Sequence, residues 1–409
     1  MTPAPAPGAV AAPGERWWHD PPALQRYFSD VVLSEVQALR PGRPAPSPWA
    51  DDADLVSALQ LDSLEWLALS AALTALAPGP VTELGEPPRR AADWLRWLRQ
   101  ALDQAPALQG FRSSGSTGLP RQHHHPLRQL EAEVRLLAEL IGPRRRVVSL
   151  VRSHHIYGFL FTLLLPRVWG GVPVCPLPPG SVVGVADLVQ PGDLVVGFPE
   201  AWAALARSAI VWPADVVGVS STAPCPDEVA LAVRDQGLAR LIQVYGSSET
   251  AGIGWRDDPS QGFELLACWR ADEGDPQRLW RLDDALPTGS VALPDHVHWL
   301  GPRRLLPQAR VDGSVSIGGV QVNPSAVARA LQQQPGVAEV AVRPMGVAGG
   351  LRLKAFIVPE AGAPADLPDR LAAWAAQALA PAARPVHWQL GTALPISPVG
   401  KPADWPIPS

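Results

Sequence analysis

The sequence predicts an α/β protein with a mostly parallel central sheet, a helical region before the sheet and a small α+β domain after it. Three observations predict this class. Short apolar runs of strand length alternate with helical patterns through the middle of the chain, as in sheets covered on both faces. Apolar residues at helical spacing fill the preceding hundred residues, and the last hundred alternate between strand and helix patterns. A chain of 409 residues exceeds one ordinary core, so two or three domains are expected.

The first hundred residues are predicted to form an arm and a helical region. Residues 1–21 are rich in proline and alanine and are expected to be a flexible arm. Residues 22–104 form the helical region. The spacing of apolar side chains predicts three helices there, over 24–39, 63–76 and 91–102. Asp62 or Ser63 can cap the second helix, because short oxygen-bearing side chains accept hydrogen bonds from the free N–H groups of a helix start.

The middle of the chain, 105–310, is predicted to be the sheet-forming core. Five apolar runs there predict its strands, at 147–151, 172–174, 193–196, 216–219 and 241–244. A longer apolar segment, 156–165, is too short to cross a bilayer and predicts a buried helix. The last region, 311–409, has the order strand, strand, helix, strand, strand, helix, strand, which is typical of a small α+β domain.

Composition and charge argue against several classes of partner. The formal net charge is −5 and basic residues are dispersed, so no basic face large enough to neutralise a nucleic-acid backbone is expected. One basic run, 144–146, is better explained as a solvated turn. No charged and apolar leader opens the chain, and no segment is long enough to span a membrane. The three cysteines lack metal or disulfide spacing, and the sequence therefore predicts a cytoplasmic protein.

A loop rich in small residues, SSGSTGLPR at 113–121, is the most informative stretch. Glycines let a backbone fold closely round phosphate oxygens, while hydroxyls, amides and an arginine supply hydrogen bonds and positive charge. The candidate phosphate contacts are Ser113, Ser114, Gly115, Ser116, Thr117, Gly118 and Arg121. The Walker pattern is absent, and a flexible linker is the alternative interpretation of this segment alone.

Two further motifs come directly after predicted strands, where open α/β sheets bind ligands. They are Ser221-Thr222-Ala223-Pro224 and Tyr245-Gly246-Ser247-Ser248-Glu249-Thr250. A carboxylate such as Glu249 beside phosphates is the usual arrangement for holding Mg²⁺. The alternative interpretation of the second motif is a polar turn that caps a helix.

Together with two motifs nearer the C-terminus, these stretches resemble the adenylate-forming superfamily, which includes acyl-CoA synthetases, firefly luciferase and the adenylation domains of peptide synthetases. ARVDG at 309–313 resembles the family's GRxDD hinge, and LPISPVGK at 394–401 resembles LPxTxxGK, the loop with the catalytic lysine. Arg121 stands where the family has lysine, and Ala309 where it has glycine. The resemblance covers about 111–405. It implies a shortened adenylate-forming core, because full-length relatives carry a larger region before the phosphate loop.

The resemblance also implies nucleotide contacts. It makes Lys401, Glu249 and Thr117 the catalytic residues, with Glu249 also the Mg²⁺ ligand. Besides the phosphate loop, the implied ATP and AMP contacts are Thr222, Ala223, Pro224, Tyr245, Gly246, Ser247, Ser248, Glu249, Thr250, Asp295, Arg310 and Lys401. Asp284 is an alternative to Asp295 at the ribose.

The remaining implied roles concern the acid and the thiol. The acid pocket would contain His155, Ile156, Tyr157, Gly158, Ser221 and Gly246. No aspartate lies near this stretch to hold an amino group, as one does in peptide synthetases, which argues against an amino-acid substrate. Asp312 would be the hinge of the last domain. Gly318 and Gly319 would let a pantetheine arm pass close to the backbone.

The helical region contains a second resemblance. Leu61-Asp62-Ser63-Leu64-Glu65 is similar to the DSL motif of acyl carrier proteins, whose serine carries phosphopantetheine. Ser63 is therefore a candidate modification site. The alternatives are a degenerate carrier and a packing domain, and the apolar residues after Ser63 favour an unmodified, structural region. Of the three adjacent histidines at 123–125, His125 aligns with a family histidine, and a zinc site there is not expected.

The sequence thus predicts a ligase that forms an acyl-adenylate from ATP and passes the acyl group to coenzyme A or to the phosphopantetheine of a carrier protein. ATP, Mg²⁺ and that thiol are the expected cofactors. A small carboxylic acid is the expected substrate, with an acyl carrier protein as a further partner. The chain is similar to compact ligases of aryl polyene and xanthomonadin pathways, which implies an aryl acid such as a hydroxybenzoate. A medium-chain fatty acid ligase and a non-catalytic scaffold are the alternatives.

Overall fold

The structure is a computed structural model of the chain. It describes residues 16–40, 46, 49–76, 86–104, 108–113, 121–178, 181–208, 210–283, 286–347, 350–395 and 403–407. The chain divides into two compact units. The first contains 1–112, 122–293 and 299–306, and the second contains 113–121, 294–298 and 307–409. The helical region predicted over 22–104 therefore lies in the same unit as most of the sheet.

The first unit begins with a 3-10 helix, Trp17–His19, and four α-helices. These are α1 (Pro21–Leu39), α2 (Leu55–Leu59), α3 (Ser63–Thr74) and α4 (Ala91–Gln104). The three predicted helices are confirmed as α1, α3 and α4. The predicted cap is also confirmed, since the Asp62 carboxylate accepts hydrogen bonds from the N–H groups of Leu64 and Glu65.

Residues 16–20, which were predicted to belong to the flexible arm, are folded. Trp17 and Trp18 are buried, and the Trp17 ring lies 5.1 Å from that of Tyr27 and 5.2 Å from that of Phe159. Such aromatic contacts bury large areas and fix the chain. The folded part therefore includes residues 16–20, which the composition of the arm had concealed.

Strands β1 (Leu108–Ser113) and β2 (Arg121–Pro126) form a two-stranded sheet, and nine other strands form the large sheet. Five parallel strands come first, β3 (Arg146–Ser149), β4 (Val174–Pro176), β5 (Asp193–Gly197), β6 (Val217–Ser220) and β7 (Arg240–Ser247). The next are β8 (Ala251–Arg256) and β9 (Phe263–Leu265), which continue the sheet in antiparallel sense. A separate antiparallel sheet contains β10 (Trp269–Ala271), β11 (Arg278–Asp283) and β12 (Leu286–Ala292). The last two strands of the large sheet are β13 (Asp295–Gly301) and β14 (Arg304–Arg310).

The order of the large sheet is β13-β14-β9-β8-β7-β6-β5-β3-β4. Five of its nine strands are the predicted parallel ones, so the predicted fold class is confirmed. Both faces of the inner strands β5 and β6 are buried throughout, as a parallel sheet covered on both sides requires, whereas the edge strand β4 is only partly buried. On one face Val148, Val195 and Leu241 share a core with Trp202 and Val233 of the helices that cover it.

The connecting helices of this unit are α5 (Leu127–Ile141), α6 (Ile156–Phe159), α7 (Leu165–Val168), α8 (Val185–Leu188), α9 (Pro199–Arg207) and α10 (Asp227–Asp235). A π-helical turn, Leu160–Leu164, joins α6 to α7. All residues from 157 to 165 are buried, which confirms the predicted buried helix. Within the described residues, no helix is both long and apolar enough to cross a membrane.

The second unit has the predicted order of strands and helices. Its elements are β15 (Val315–Ile317), β16 (Val320–Val322), α11 (Pro324–Gln332), β17 (Val337–Val347), β18 (Gly350–Pro359), α12 (Leu367–Ala378) and β19 (Pro385–Leu390). Strand β18 is antiparallel to β17 and parallel to β19. The two helices cover this sheet through Val327, Leu331, Leu367 and Leu371.

Candidate active site

Two motif loops lie side by side at the carboxyl edge of the parallel strands. Strands β6 and β7 are neighbours, and Ser221–Pro224 follows the first while the second motif ends the other. The Ser221 hydroxyl donates to the carbonyl oxygen of Val244 at 2.8 Å, which ties the two loops together. This is the edge at which open α/β sheets bind ligands.

One residue in the first loop and the residue directly after the second motif adopt left-handed backbone conformations. Thr222 has φ 81° and Ala251, which follows the second motif, has φ 61°. A β-branched residue such as threonine rarely adopts this conformation. Non-glycine residues in strained conformations persist only where surrounding contacts impose them, and they concentrate at functional sites.

The second motif forms a tight bend between β7 and β8. A side chain at Gly246 would come within 2.2 Å of the carbonyl oxygen of Ala251, so only glycine fits. Thr250 is 4% exposed, and its hydroxyl lies 3.0 Å from the Ser247 hydroxyl and donates to the carbonyl oxygen of Ala251. Glu249 is exposed, and its N–H donates to the Ser247 hydroxyl. The bend therefore presents a carboxylate and keeps a threonine beneath it.

Tyr245 and Ser248 complete this motif. Tyr245 is half-buried, with its ring 5.8 Å from that of Phe263. The carbonyl oxygen of Ser248 accepts a hydrogen bond from Nε2 of His125 at 2.8 Å. A carbonyl can only accept, so Nε2 carries the hydrogen. Burial lowers the pKa of His125, which favours the neutral imidazole.

A buried charged pair that sequence reasoning missed lies next to the same bend. Glu133 on α5 accepts a hydrogen bond from the N–H of Gly252 at 2.8 Å, and Arg281 on β11 donates to the same carboxylate at 3.3 Å. Two signals were available. Glu133 is a charged residue on the otherwise apolar face of α5. Arg281 stands two positions after Leu279 in β11, so the two side chains share the buried face of that strand.

The candidate acid segment begins α6. His155 occupies the N-cap position of the helix and is accessible to solvent. Protein atoms nevertheless surround the imidazole closely, and this desolvation, together with the charge of Arg152, lowers its pKa to about 4. Its ring centroid lies 4.1 Å from that of His154. Ile156 is half-buried beside it. The neutral imidazoles thus form an accessible aromatic surface at the start of the helix.

Tyr157 and Gly158 are enclosed by the core. The Tyr157 hydroxyl lies 2.9 Å from the carbonyl oxygens of Gly197 and Val219, at the ends of β5 and β6, and its single hydrogen is shared between them. Burial raises the pKa of Tyr157 well above its ordinary value. A side chain at Gly158 would come within 1.9 Å of the Arg152 carbonyl oxygen. Both residues hold the segment in place.

Helix α1 holds the other end of this segment. The Asp30 carboxylate accepts hydrogen bonds from the N–H of Ser153 at 2.7 Å and from its hydroxyl at 2.6 Å. Ser153 is fully buried, so this amide has no water to bond instead. Arg26 on the same helix donates to the carbonyl oxygen of Thr162. Hydrogen bonds from α1 of the helical region therefore hold both sides of the candidate acid segment in place.

The predicted ribose and hinge residues lie together in the second unit. The Arg310 guanidinium lies 3.8 Å from the Asp295 carboxylate and 3.5 Å from that of Asp312. Asp295 is 9% exposed. The Asp312 carboxylate also accepts from the N–H of Ser314, and its carbonyl oxygen accepts from Asn323. The alternative ribose residue, Asp284, lies outside the described residues.

Gly318 and Gly319 form the two-residue turn between β15 and β16, with φ 58° and 78°. Two successive positive φ angles define the hairpin turn that favours glycine at both positions. The turn by itself accounts for both glycines, and no side-chain atom would crowd a Cβ at Gly318.

Several predicted site residues lie outside the described residues. These are Ser114, Gly115, Ser116, Thr117, Gly118 and Lys401, and the side chains of Ser113 and Arg121. The chain next to Lys401 is described. Ala403 donates its N–H to the carbonyl oxygen of Pro395 at 2.9 Å. Buried Lys354 donates to the carbonyl oxygen of Trp405 and lies 2.8 Å from the Asp404 carboxylate.

Ser63 is exposed at the first position of α3. The apolar residues after it do not pack on the core as the sequence suggested, because Leu64 is 77% exposed and Leu67 is 64% exposed. Leu69 and Leu73, on the opposite side of α3, are buried instead. The helical region is thus anchored through α1, not through this face of α3.

Glu249, in the second motif loop, is the candidate metal ligand. Within the described residues, no three histidine, cysteine or acidic side chains come together as a metal site. Mg²⁺ in nucleotide sites is usually held by one or two carboxylates together with phosphate oxygens and water. An exposed single carboxylate at this edge of the sheet therefore fits Mg²⁺ that arrives with ATP.

Comparisons with known proteins agree with this architecture. Residues 326–401 match the family described as AMP-binding enzyme C-terminal domain. A 4-coumarate–CoA ligase from Rhodobacter capsulatus is 40% identical over 289 residues, which cover 69% of this chain and 71% of that protein. A 4-coumarate–CoA ligase from Halorhodospira halophila is 33% identical over 386 residues, which cover 90% of this chain and 97% of that protein. The solved amide bond synthetase from Marinactinospora thermotolerans shares the fold with a TM-score of 0.63 and 16% identity, over 97% of this chain and 95% of that one.

Proposed function

We propose a substrate for a chain that belongs to the family of adenylate-forming acid–thiol ligases, the family of the 4-coumarate–CoA ligases. The chain activates a carboxylate by taking AMP from ATP, and then passes the acyl group to a thiol. The proposed substrate is an aryl propenoic acid of the 4-coumarate type, and the proposed thiol is coenzyme A.

One observation carries this proposal. The relative from Halorhodospira halophila, named for 4-coumarate, matches over 97% of its own length. The match therefore includes the acid segment and extends into the helical region that Asp30 connects to it. A hydroxybenzoate has the same hydroxylated ring but lacks the propenoate spacer, and a medium-chain fatty acid lacks the ring. The relatives' name favours the longer aryl acid over both.

The acid segment supports an aryl substrate. The accessible ring of His155, which lies 4.1 Å from that of His154 and is tilted 42° to it, offers an aromatic face against which an aromatic acid can pack. Because its pKa is lowered to about 4, His155 is neutral near pH 7 and has both a hydrogen-bond donor and an acceptor. A phenol can use either, so the imidazole suits a hydroxylated ring without burying a charge.

In the first step, an oxygen of the substrate carboxylate bonds to the α-phosphorus as the bond to pyrophosphate breaks. We assign Tyr245 to the adenine, Asp295 and Arg310 to the ribose, and the loop 113–121 to the phosphates. Lys401 would stabilise charge that moves between the carboxylate and the phosphate. The enzyme's contribution is positioning and charge neutralisation.

Glu249 would hold Mg²⁺, and Thr250 would approach the α-phosphate by turning its hydroxyl away from Ala251. When bound, the metal neutralises charge on the departing pyrophosphate. In the second step, the thiol sulfur attacks the acyl carbon and AMP leaves. Asp312 would be the pivot between the two steps. A carrier-protein thiol remains the alternative acceptor, and a cytoplasmic location remains a prediction.

The test is ATP–pyrophosphate exchange with 4-coumarate, 4-hydroxybenzoate and octanoate, followed by thioester formation with coenzyme A or a carrier protein bearing phosphopantetheine. We expect kcat/KM for 4-coumarate to exceed the others by about tenfold or more, which is the discrimination a missing group in a fitted pocket gives. Preference for octanoate would refute the aryl assignment. Transfer to the carrier but not to coenzyme A would refute the proposed acceptor.

A further inference from the structure

Gly252 lies just after the bend that ends the second motif, and buried side chains bind both its N–H and its carbonyl oxygen. Glu133 accepts from the Gly252 N–H at 2.8 Å, and the Trp269 indole N–H donates to the Gly252 carbonyl oxygen at 2.7 Å. A side chain at Gly252 would come within 2.6 Å of the Glu133 carboxylate. The backbone two residues after Thr250 is therefore fixed by contacts from α5 and β10.

The residue between these two points is strained. Ala251 has φ 61°, a left-handed conformation that is strained for any residue other than glycine. It persists only if its neighbours are held in place. Gly252 is held as described, and on the other side Ser248 is held by His125. Thr250 and Glu249 lie between the two fixed points.

The charged pair itself is almost entirely buried. The Glu133 side chain is 0% exposed and that of Arg281 is 8% exposed. The Arg281 guanidinium lies 4.8 Å from the Trp269 ring centroid and donates to the carbonyl oxygen of Gln129. Trp269 is thus shared by the arginine and by Gly252, so the pair and the bend form one network.

A role in packing alone would not require a charged pair. Replacing a buried ion pair with well-packed apolar residues is often neutral or stabilising, because the pair's attraction barely offsets its desolvation. Glu133 also lies among the buried apolar residues of α5, where an apolar side chain would suit the core. A carboxylate has one property that an apolar residue lacks, namely that it binds the Gly252 N–H and the guanidinium at once.

We propose that Glu133, paired with Arg281, is a positioning residue for adenylate formation, which orients Glu249 and Thr250 through Gly252. This inference rests on the proposed roles of Glu249 and Thr250 at the nucleotide. It assigns the pair to the first half-reaction only, because the acyl transfer to the thiol needs neither pyrophosphate release nor Mg²⁺.

The first test is Glu133→Gln. The amide has nearly the same shape, but whichever way it turns, its NH₂ faces a donor, either Gly252 N–H or Arg281. Adenylate formation measured in a single turnover at pH 8 should slow by about 10- to 100-fold, the loss expected from a small misplacement of reacting groups. Thioester formation from supplied acyl-adenylate should change less than about threefold. Glu139→Gln, an exposed residue on the same helix, should change neither step.

A second variant covers the case in which the first does not fold. Glu133→Met with Arg281→Met replaces the pair by apolar side chains of similar length and should fold. We expect its adenylate formation to be as slow as that of Glu133→Gln. Adenylation at the wild-type rate in this folded double variant would overturn the inference.

Coupling to Glu249 separates positioning from a general effect. In the background of Glu249→Gln, the further loss caused by Glu133→Gln should shrink to about threefold or less, since residues that act through one another are not additive. Equal losses in both half-reactions, or full additivity, would overturn the inference while leaving the proposed function intact. Absence of wild-type adenylation with every acid would instead refute the proposed function.

Discussion

The Tyr157 hydroxyl joins the ends of two parallel strands, and this contact is sufficient to explain the residue. We predict that Tyr157→Phe lowers the free energy of unfolding by about 1–2 kcal/mol, because two buried carbonyl oxygens lose their shared donor. The KM for the acid should change little. Urea unfolding together with acid titration of adenylate formation measures both quantities.

A contrary outcome for Tyr157 is informative. If Tyr157→Phe raised the KM for the acid about tenfold or more and left unfolding unchanged, the hydroxyl would be a pocket contact. His155→Ala is the matched comparison, since His155 is accessible and caps the same helix. It should raise the KM for the acid and leave the strand ends intact.

Individual residues could be predicted from the sequence where they lie in one continuous motif. Tyr245 and Glu249 stand four positions apart at the end of a strand, and the strand fixes where they go. Glu133 and Arg281 are 148 positions apart, and only the packing of α5 on the small sheet brings them together. Periodicity could have marked Glu133 as a charge on an apolar stripe, but not its partner.

At the scale of elements, α1 is the connection between the helical region and the acid segment. We predict that Asp30→Ala raises the KM for the acid about tenfold and the KM for ATP much less, because Ser153 loses both of its hydrogen bonds to that carboxylate. The unfolding free energy should fall by about 1–3 kcal/mol, the cost of an unpaired buried amide. Steady-state kinetics with each substrate varied in turn checks this.

The control for Asp30 is Asp93→Ala, which breaks an exposed pair with Arg96 on α4. Exposed pairs contribute little, so this variant should behave as wild type in both assays. Equal rises in the KM values for acid and ATP in Asp30→Ala would contradict a specific link to the acid segment.

Helix α3 begins with the serine motif of an acyl carrier protein but lacks the acidic residues that usually surround that serine. Its only acidic residue is Glu65, which pairs with Arg40, and Asp62 before it is used as the cap. A modifying enzyme with a basic face needs free carboxylates to dock. We therefore predict that Ser63 stays unmodified when the protein is incubated with a broad-specificity phosphopantetheinyl transferase and coenzyme A. Intact mass is the measurement, and a near-complete gain of one phosphopantetheine that Ser63→Ala abolishes would contradict it.

The elements themselves were largely predictable. The five parallel strands and the seven elements of the last domain follow from apolar runs and helical spacing. The antiparallel strands after β8 were harder to predict. One face of β11 and of β13 is partly exposed to solvent, so polar residues interrupt their apolar runs. The exposed face of α3 was predicted wrongly, since periodicity indicates an apolar stripe but not whether another element covers it.

For the whole molecule, Glu133 predicts how stability depends on pH. Burial raises its pKa from 4.5 to about 7, while Arg281 and the Gly252 amide oppose the rise, and the thiol of Cys268 lies near. Between these two values the folded state binds more protons than the unfolded state, so this group's contribution to stability falls as pH rises. The free energy of unfolding of the wild type should therefore fall relative to that of Glu133→Gln between about pH 5 and 7. Parallel stability profiles from urea unfolding would contradict the shifted pKa.

The left-handed backbone at Thr222 and Ala251 bears on attempts to make this protein more heat-resistant. Glycine adopts that conformation without steric cost, so Thr222→Gly and Ala251→Gly are obvious stabilising candidates at first sight. Yet Thr222 lies within the first of the two motif loops and Ala251 directly follows the second, and strained residues at functional sites are commonly kept at the expense of stability. A search for thermostable variants should therefore leave both positions fixed and seek its gains on the exposed apolar face of α3.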